Sequence, residues 1–86
     1  MYYVYVLLCK QNGDLYIGYS EDLKQRFQAH NNGKVKSTKS KRPLALVYYE
    51  AYKDKSDATK REKFLKPHQQ REFLRERIRN SLKIKI

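Results

Sequence analysis

The chain has 86 residues, a length that favours one domain with a modest hydrophobic core. Its 20 Lys and Arg residues outnumber 9 acidic ones, and the net charge of +11 favours a polyanionic partner, above all nucleic acid. No apolar stretch approaches the ~20 residues that span a bilayer, so we expect no membrane segment. The lone Cys9 has no partner for an internal disulfide, and the run at 1–9 lacks the basic leader of a signal peptide. We therefore expect a cytoplasmic protein.

Two strands joined by a tight turn are predicted at the start of the chain. Residues 2–9 are almost continuously apolar and rich in Tyr and Val, a pattern typical of a strand covered on both faces and central in its sheet. Asn12-Gly13 is a strong signal for a two-residue hairpin turn, and residues 14–19 then form the returning strand.

Capping residues, helical spacing and chain breakers predict the later elements. In chain order they are a helix at about 21–31 with Ser20 as N-cap, a basic loop at 33–42, a strand at 44–52, a helix capped by Ser56-Asp57 that runs to about Lys66, and a helix from about Gln69 to Asn80. The order β-β-α-β-α-α predicts an α+β fold in which helices flank a three-stranded antiparallel sheet. Residues 1–80 are expected to form one domain and 81–86 a short C-terminal tail.

The two strands carry a pair of tyrosines. With a two-residue turn, paired residue numbers sum to 25, and Tyr5, Tyr16 and Gly18 share one face of the sheet. Gly18 would leave a gap through which a backbone or a phosphate could approach. A loop one residue longer would put the tyrosines on opposite faces. Strand tyrosines are also common packing residues, so a catalytic role and a packing role both stay open.

The first helix places Arg26 and His30 within about 60° of Leu23, a member of its apolar stripe. They should therefore lie beside the core. The planar fork of an arginine donates two parallel hydrogen bonds to a phosphate, and a neighbouring histidine can donate to the same group or pass a proton. The alternative is a snorkelling arginine and a half-buried histidine without a chemical role.

Glu62 shares a face of the second helix with the apolar Ala58 and Leu65. A carboxylate turned toward the core needs a partner, and a divalent cation is one. Mg²⁺ takes one or two protein carboxylates and completes its shell with water and substrate phosphate, so one Glu is sufficient. The alternative is an ion pair with Lys, Arg or His30.

Together these segments resemble the GIY-YIG nuclease superfamily, and within it small single-domain proteins similar to the nuclease domain of the bacterial excision-repair incision enzyme. The two half-motifs appear as Tyr3-Val4-Tyr5 and Tyr16-Ile17-Gly18. Further matches are Asp22-Leu23, Arg26 and His30-Asn31 on the first helix, Lys41-Arg42-Pro43 leading into Leu46-Val47-Tyr48, and Ser56, Ala58 and Arg61-Glu62 on the acidic helix. The resemblance runs from residue 2 to about 66.

The resemblance implies an endonuclease that uses Mg²⁺ or Mn²⁺ to hydrolyse phosphodiester bonds in DNA, in DNA repair or processing. It implies these roles: Tyr16 as the likelier general base, Tyr5 orienting the water or the phosphate, Arg26 holding the scissile phosphate, His30 assisting by hydrogen bonding or proton transfer, and Glu62 binding the metal. Because the reference pKa of tyrosine is near ~10, the metal must lower the pKa of the attacking water.

Two positions depart from the superfamily pattern. Tyr3 stands where a glycine opens the first half-motif, as in the small single-domain branch. The stretch 67–70 offers no clear counterpart to an asparagine that some relatives use.

The predicted nucleic-acid contacts lie mostly in the basic loop, which has no apolar period. They are Gly18, Lys34, Lys36, Lys39, Lys41 and Arg42. Two other classes of function stay open. One is a catalytically inactive DNA- or RNA-binding module on the same scaffold, and the other is a protein-interaction domain whose basic surface binds an acidic partner.

Overall fold

The computed structural model describes residues 1–83. Three strands, β1 (Tyr2–Cys9), β2 (Leu15–Ser20) and β3 (Leu44–Tyr52), form one antiparallel sheet in the order β2-β1-β3. The helices are α1 (Leu23–Asn31), α2 (Lys55–Leu65) and α3 (His68–Arg77), with 3-10 turns at Lys39–Lys41 and Arg79–Leu82. The α+β class, the order β-β-α-β-α-α and the central position of the first strand are confirmed. None of the helices in this range is long and apolar enough to cross a membrane.

The continuous apolar run of β1 reflects burial on both faces of the sheet. On one face Val4, Val6 and Leu8 form a core with residues of α2 and α3. On the other face Tyr5 and Leu7 belong to a second core cluster, against which residues of α1 pack. Because side chains alternate along a strand, this arrangement commits the Tyr5 face to α1 and the opposite face to α2 and α3.

The hairpin register differs from the predicted one by two residues. Tyr5 pairs with Gly18 and Leu7 pairs with Tyr16, whereas the predicted register paired Tyr5 with Ser20. A shift of two preserves the side-chain alternation, so Tyr5, Tyr16 and Gly18 do share a face, as predicted.

The shift arises because the hairpin loop has four residues rather than two. The backbone N–H of Cys9 donates to the Asp14 carbonyl at 2.8 Å, and the N–H of Gly13 donates to the Cys9 carbonyl at 2.8 Å. Gly13 has φ +80°, and the Asn12 side-chain oxygen accepts from the Asp14 N–H. Asn-Gly thus ends a longer loop, with glycine in the left-handed conformation that it tolerates best.

Two helices begin at caps other than those predicted. The Asp22 side chain accepts from the Gln25 N–H and starts α1 at Leu23, while Ser20 remains the last residue of β2. Asp54 likewise caps α2 in place of Ser56. In both cases an aspartate, rather than the predicted serine, is the N-cap residue. A cap residue needs an extended backbone, and the aspartate has it in each case.

The C-terminal segment differs from the predicted elements. Helix α3 ends at Arg77 rather than Asn80 and continues into the 3-10 turn Arg79–Leu82. Within the predicted tail 81–86, Leu82 packs against the core formed with α2 and α3. Residues 84–86 lie outside the described residues.

Gly18 is required by the ring of Tyr5. A Cβ atom at Gly18 would lie 2.3 Å from the Tyr5 Cζ atom and 2.4 Å from its hydroxyl oxygen. The gap that the sequence assigns to a backbone or a phosphate is therefore filled by the Tyr5 ring. Because Gly18 has no side chain, the Tyr5 ring can pack directly over the backbone of β2.

Replacing Gly18 with alanine should lower the free energy of unfolding by about 1–3 kcal/mol, because a buried ring must move to relieve the overlap. The measurement is urea denaturation of Gly18→Ala in the wild-type and in the Tyr5→Leu background. We expect the cost to be much smaller once the ring is gone. An equal cost in both backgrounds would show that something other than Tyr5 constrains Gly18.

Candidate active site

The hydroxyl of Tyr5 forms hydrogen bonds with two other residues of the site, His30 and Arg26. Tyr5 is 1% exposed, its oxygen lies 2.8 Å from His30 Nε2, and Arg26 Nε donates to it at 3.3 Å. Burial raises the pKa of Tyr5, and the hydrogen bond from Arg26 only partly opposes this. The Tyr5 hydroxyl therefore stays protonated at neutral pH and acts as a hydrogen-bonding group.

His30 lies in the last turn of α1 and is completely buried. Burial, and then the positive charge of Arg26, lower the pKa of His30 to about 4, so the imidazole is neutral at pH 7. Its Nδ1 lies 2.7 Å from Thr38 Oγ1, and this hydroxyl donates to the Val35 carbonyl at 3.5 Å. Both ring nitrogens are thus engaged inside the protein.

One assignment of protons satisfies every group in this chain of hydrogen bonds. Arg26 can only donate, so the Tyr5 oxygen accepts there and gives its own proton to His30 Nε2. The neutral imidazole then carries its proton on Nδ1 and donates to Thr38. In this chain each group donates to the next, from the solvent-exposed guanidinium of Arg26 inward to the loop before β3.

Tyr16 completes a group of four converging side chains. Its ring centroid lies 5.1 Å from that of His30 and 6.4 Å from that of Tyr5. Tyr16 is only half-buried, and Ser37 Oγ donates to its hydroxyl at 3.5 Å. The hydroxyls of Tyr5 and then Tyr16 raise the pKa of Arg26, which keeps the guanidinium charged. Two phenols, a neutral imidazole and a cation therefore share one site.

Glu62, the fifth predicted catalytic residue, stands apart from these four. It lies on α2, which covers the opposite face of the sheet, and its side chain pairs with Lys66 Nζ at 3.2 Å. No hydrogen bond joins it to the other four among residues 1–83. Burial is the main cause of the raised pKa of Tyr5 and of Tyr19, and the charge of Glu62 is a minor one.

The residues present fit a magnesium ion held by one carboxylate. Residues 1–83 contain no cluster of three or more His, Cys, Asp or Glu side chains of the kind that encloses a metal. A carboxylate with a hard oxygen, mostly buried yet still partly open to solvent, suits an ion that shares its shell with water and substrate phosphate. The Lys66 ammonium competes for that carboxylate.

Four lysines of the basic loop are exposed, and none forms a salt bridge within residues 1–83. They are Lys34, Lys36, Lys39 and Lys41. The loop backbone is ordered by a short 3-10 turn, Lys39–Lys41, and by the buried Thr38 beneath it. The lysine side chains are available to a polyanion.

Arg42, also a predicted phosphate contact, forms hydrogen bonds within the protein. Its Nε donates to the Lys39 carbonyl at 2.9 Å, and its Nη1 donates to the Asn31 carbonyl at 3.4 Å. The guanidinium covers Gly33, where a Cβ atom would lie 2.8 Å from Nη1. Asn31 bonds the backbone N–H and carbonyl of Leu44 with its side chain. Arg42 and Asn31 thus fasten the loop to the end of α1.

Two residues that shape the site could not be identified from sequence patterns. Thr38 is a small polar residue in a loop without apolar periodicity, and only the fold buries it against His30. Arg71 on α3 donates to the Leu15 carbonyl at 3.4 Å, so it lies beside Tyr16 although it is 55 positions later. The spacing of charges along α3 alone does not indicate this contact.

The buried neutral histidine predicts a pH dependence of stability. Because the pKa of His30 is lower in the folded state than the ordinary value of 6.5, the unfolded chain binds the extra proton, and stability falls as pH drops from 6.5 toward 4. We expect a loss of roughly 1–2 kcal/mol between pH 6.5 and pH 5. Above pH 6.5 the contribution is complete.

The measurement is the urea-derived free energy of unfolding at several pH values. His30→Gln should flatten the profile between pH 5 and 6.5, whereas His68→Gln, which changes an exposed histidine, should keep the wild-type slope. If His30→Gln retains that slope, His30 is not the titrating group.

Comparisons with known proteins identify the family of this chain. The family described as the GIY-YIG catalytic domain matches residues 1–76. A UPF0213 protein of Staphylococcus saprophyticus is 48% identical over 62 residues, which are 71% of this chain and 74% of that protein. A UPF0213 protein of Staphylococcus epidermidis is 44% identical over 75 residues, 86% of this chain and 90% of that protein.

A solved structure is similar as well. The solution NMR structure of the UPF0213 protein BH0048 from Bacillus halodurans is 36% identical in sequence and matches with a TM-score of 0.55. The match covers 86% of this chain and 82% of that chain. With the domain match over most of its length, this chain belongs to the GIY-YIG nuclease superfamily, as a small member related to the UPF0213 proteins.

Proposed function

We propose that this chain is a divalent-metal-dependent endonuclease that hydrolyses phosphodiester bonds in DNA, in the cytoplasm and in the context of DNA repair or processing. The observation that carries the proposal is the convergence of Tyr5, Tyr16, Arg26 and His30 within hydrogen-bonding and ring-contact distances. Membership of a nuclease superfamily supports the same chemistry.

In this proposal Arg26 holds the scissile phosphate. The residue is exposed, its Nε donates to the Tyr5 hydroxyl, and the Tyr16 hydroxyl is near the same guanidinium. This bond fixes the orientation of the guanidinium and leaves its terminal nitrogens for the two parallel hydrogen bonds that a phosphate accepts. A cation fixed in advance stabilises the negative charge that develops on the phosphate during attack.

The two tyrosines have different environments and, we infer, different tasks. Tyr5 is buried, its pKa is raised, and its hydroxyl is held by His30 and Arg26, so it orients the guanidinium and the phosphate. Tyr16 is half-buried and lies beside the same cation, which makes it the better candidate for the general base that receives a proton from water.

His30 acts on Tyr5 rather than on water. Its two ring nitrogens are occupied by the hydroxyls of Tyr5 and Thr38, and its low pKa keeps it neutral. We therefore assign it to hydrogen bonding, with proton transfer limited to Tyr5. It is a positioning residue that sets which way the Tyr5 hydroxyl points.

Glu62 would hold Mg²⁺ or Mn²⁺ together with the substrate phosphate. When bound, such an ion neutralises charge on the phosphate and lowers the pKa of a water molecule. Lys66 is the natural partner of the carboxylate in the absence of the ion, since the two already lie 3.2 Å apart. The exposed lysines at 34, 36, 39 and 41 and the net charge of +11 support DNA as the partner.

Metal dependence and Glu62 are tested together. We expect the protein to cleave DNA with Mg²⁺ or Mn²⁺ and to stop in a chelator. Glu62→Gln should reduce single-turnover cleavage by about 10² or more while leaving DNA affinity nearly unchanged, the scale seen when a main electrostatic stabiliser is lost. Glu72→Gln is the matched control, because this exposed carboxylate on α3 also takes part in salt bridges.

Cleavage that persists in chelator, or a fully active Glu62→Gln protein, would contradict the assignment of Glu62. A wild-type protein that binds DNA with a steep salt dependence and never cleaves it would instead support the inactive binding module.

A further inference from the structure

A cleft of about 260 Å³ opens beside Tyr16 at the outer edge of the sheet. Its walls are Leu15, Tyr16 and Ile17 of β2 and the three cations Lys41, Lys66 and Arg71. These cations come from three separate parts of the chain, which are the basic loop, the residue after α2, and α3. No acidic side chain among residues 1–83 lines the cleft. Three positive charges are therefore gathered around one side of a proposed catalytic residue.

Part of the cleft is held in place by the fold. Arg71 Nη1 donates to the Leu15 carbonyl at 3.4 Å, and Arg71 Nε is buried without a hydrogen-bond partner within residues 1–83. The backbone carbonyl of Lys41 accepts from the buried Cys9 thiol at 2.9 Å, which anchors the loop at that point. Arg71 thus has one buried N–H donor, on Nε, without a partner in the described part of the chain, and the exposed cation Lys41 lines the same cleft.

Like charges brought together around a cleft repel each other, and an anion bound among them relieves this repulsion. A neighbouring cavity of about 170 Å³ on the other side of Arg71 gives the contrast. It is lined by Arg71 and Arg75 but also by the carboxylates Asp14 and Glu72. The carboxylates of that cavity offset its arginines. In the cleft beside Tyr16, Lys66 pairs with Glu62 at 3.2 Å, whereas Lys41 and Arg71 form no salt bridge within residues 1–83.

We propose that this cleft binds a nucleic-acid phosphate next to the one held by Arg26. The inference rests on the proposed function, because it takes the scissile phosphate to lie at Tyr16 and Arg26. Tyr16 is part of both the proposed active site and the cleft, since its ring contacts His30 and its side chain lines the cleft. A strand that occupies both subsites must run past the Tyr16 hydroxyl, and Lys41, Lys66 and Arg71 fix its position along the edge of the sheet.

The test compares two arginines of α3 that are four residues apart. Arg71 donates to the Leu15 carbonyl and lines the cleft. Arg75 donates to the Gly13 carbonyl at 2.8 Å and is absent from the cleft lining. Arg75→Gln therefore serves as a control for Arg71→Gln, because each variant removes one cation and one hydrogen bond to the hairpin region. Arg75→Gln also removes the salt bridge between Arg75 and Glu72.

The affinity of a fluorescein-labelled DNA duplex is measured in chelator over a series of salt concentrations, so that turnover plays no part. Arg71→Gln should reduce the slope of log affinity against log salt by about 0.9, and Lys41→Gln combined with Arg71→Gln by about 1.8. Arg75→Gln should keep the wild-type slope. If Arg71→Gln has a lowered melting temperature, Lys41→Gln alone carries the test with an expected change of about 0.9.

The outcomes separate this proposal from the proposed function. The expected slopes support the subsite even if the protein never cleaves the duplex. Wild-type slopes in both Arg71→Gln and Lys41→Gln overturn the subsite even if the protein is an active nuclease. Competition by inorganic phosphate at constant ionic strength that disappears in Arg71→Gln would also support the subsite, because the free anion and the DNA phosphate would then share the cleft.

Discussion

The buried hydroxyl of Tyr5 is the point on which the rest of the structure depends. It joins β1 to α1 through His30 and Arg26, and His30 extends the connection to Thr38 in the loop before β3. A buried polar group left without its partner costs about 1–3 kcal/mol, so losing any member of this chain destabilises the others. The hydrogen bonds that hold the fold together on this face are also those that orient the proposed catalytic groups. A substitution in this chain of hydrogen bonds should therefore change both the free energy of unfolding and the proposed activity.

The tyrosines of the two half-motifs, Tyr5 and Tyr16, lie in different environments. Burial makes Tyr5 a fixed donor to His30 and an acceptor from Arg26, and the chain of bonds leads inward, away from solvent. Tyr16 remains half-buried at the edge of the sheet, between the Arg26 guanidinium and the basic cleft. Cations on both sides favour a phosphate at that place. Glu62 lies on α2, in the opposite layer, and its side chain pairs with Lys66.

Strong periodic signals in the sequence predicted the framework. The apolar run of β1 fixed its central position, and the shared face of Tyr5, Tyr16 and Gly18 survived an error in the hairpin register because the error was an even number of residues. Signals that depend on tertiary contacts were misread or absent. The four-residue loop before Asp14 is closed by backbone hydrogen bonds that the Asn-Gly pair does not encode alone. Burial of Thr38 and the inward turn of Arg42 likewise follow from how the loop lies on α1.

The central claim is that Tyr5 organises the site while Tyr16 performs the proton transfer. The most direct measurement is the single-turnover rate of DNA cleavage by Tyr5→Phe and Tyr16→Phe, with the melting temperature of each protein. The account predicts that Tyr16→Phe loses most of its activity at an unchanged melting temperature. Tyr5→Phe should lose both activity and stability, because His30 and Arg26 lose their common partner. Full activity of Tyr16→Phe, or an undiminished melting temperature of Tyr5→Phe, would contradict it.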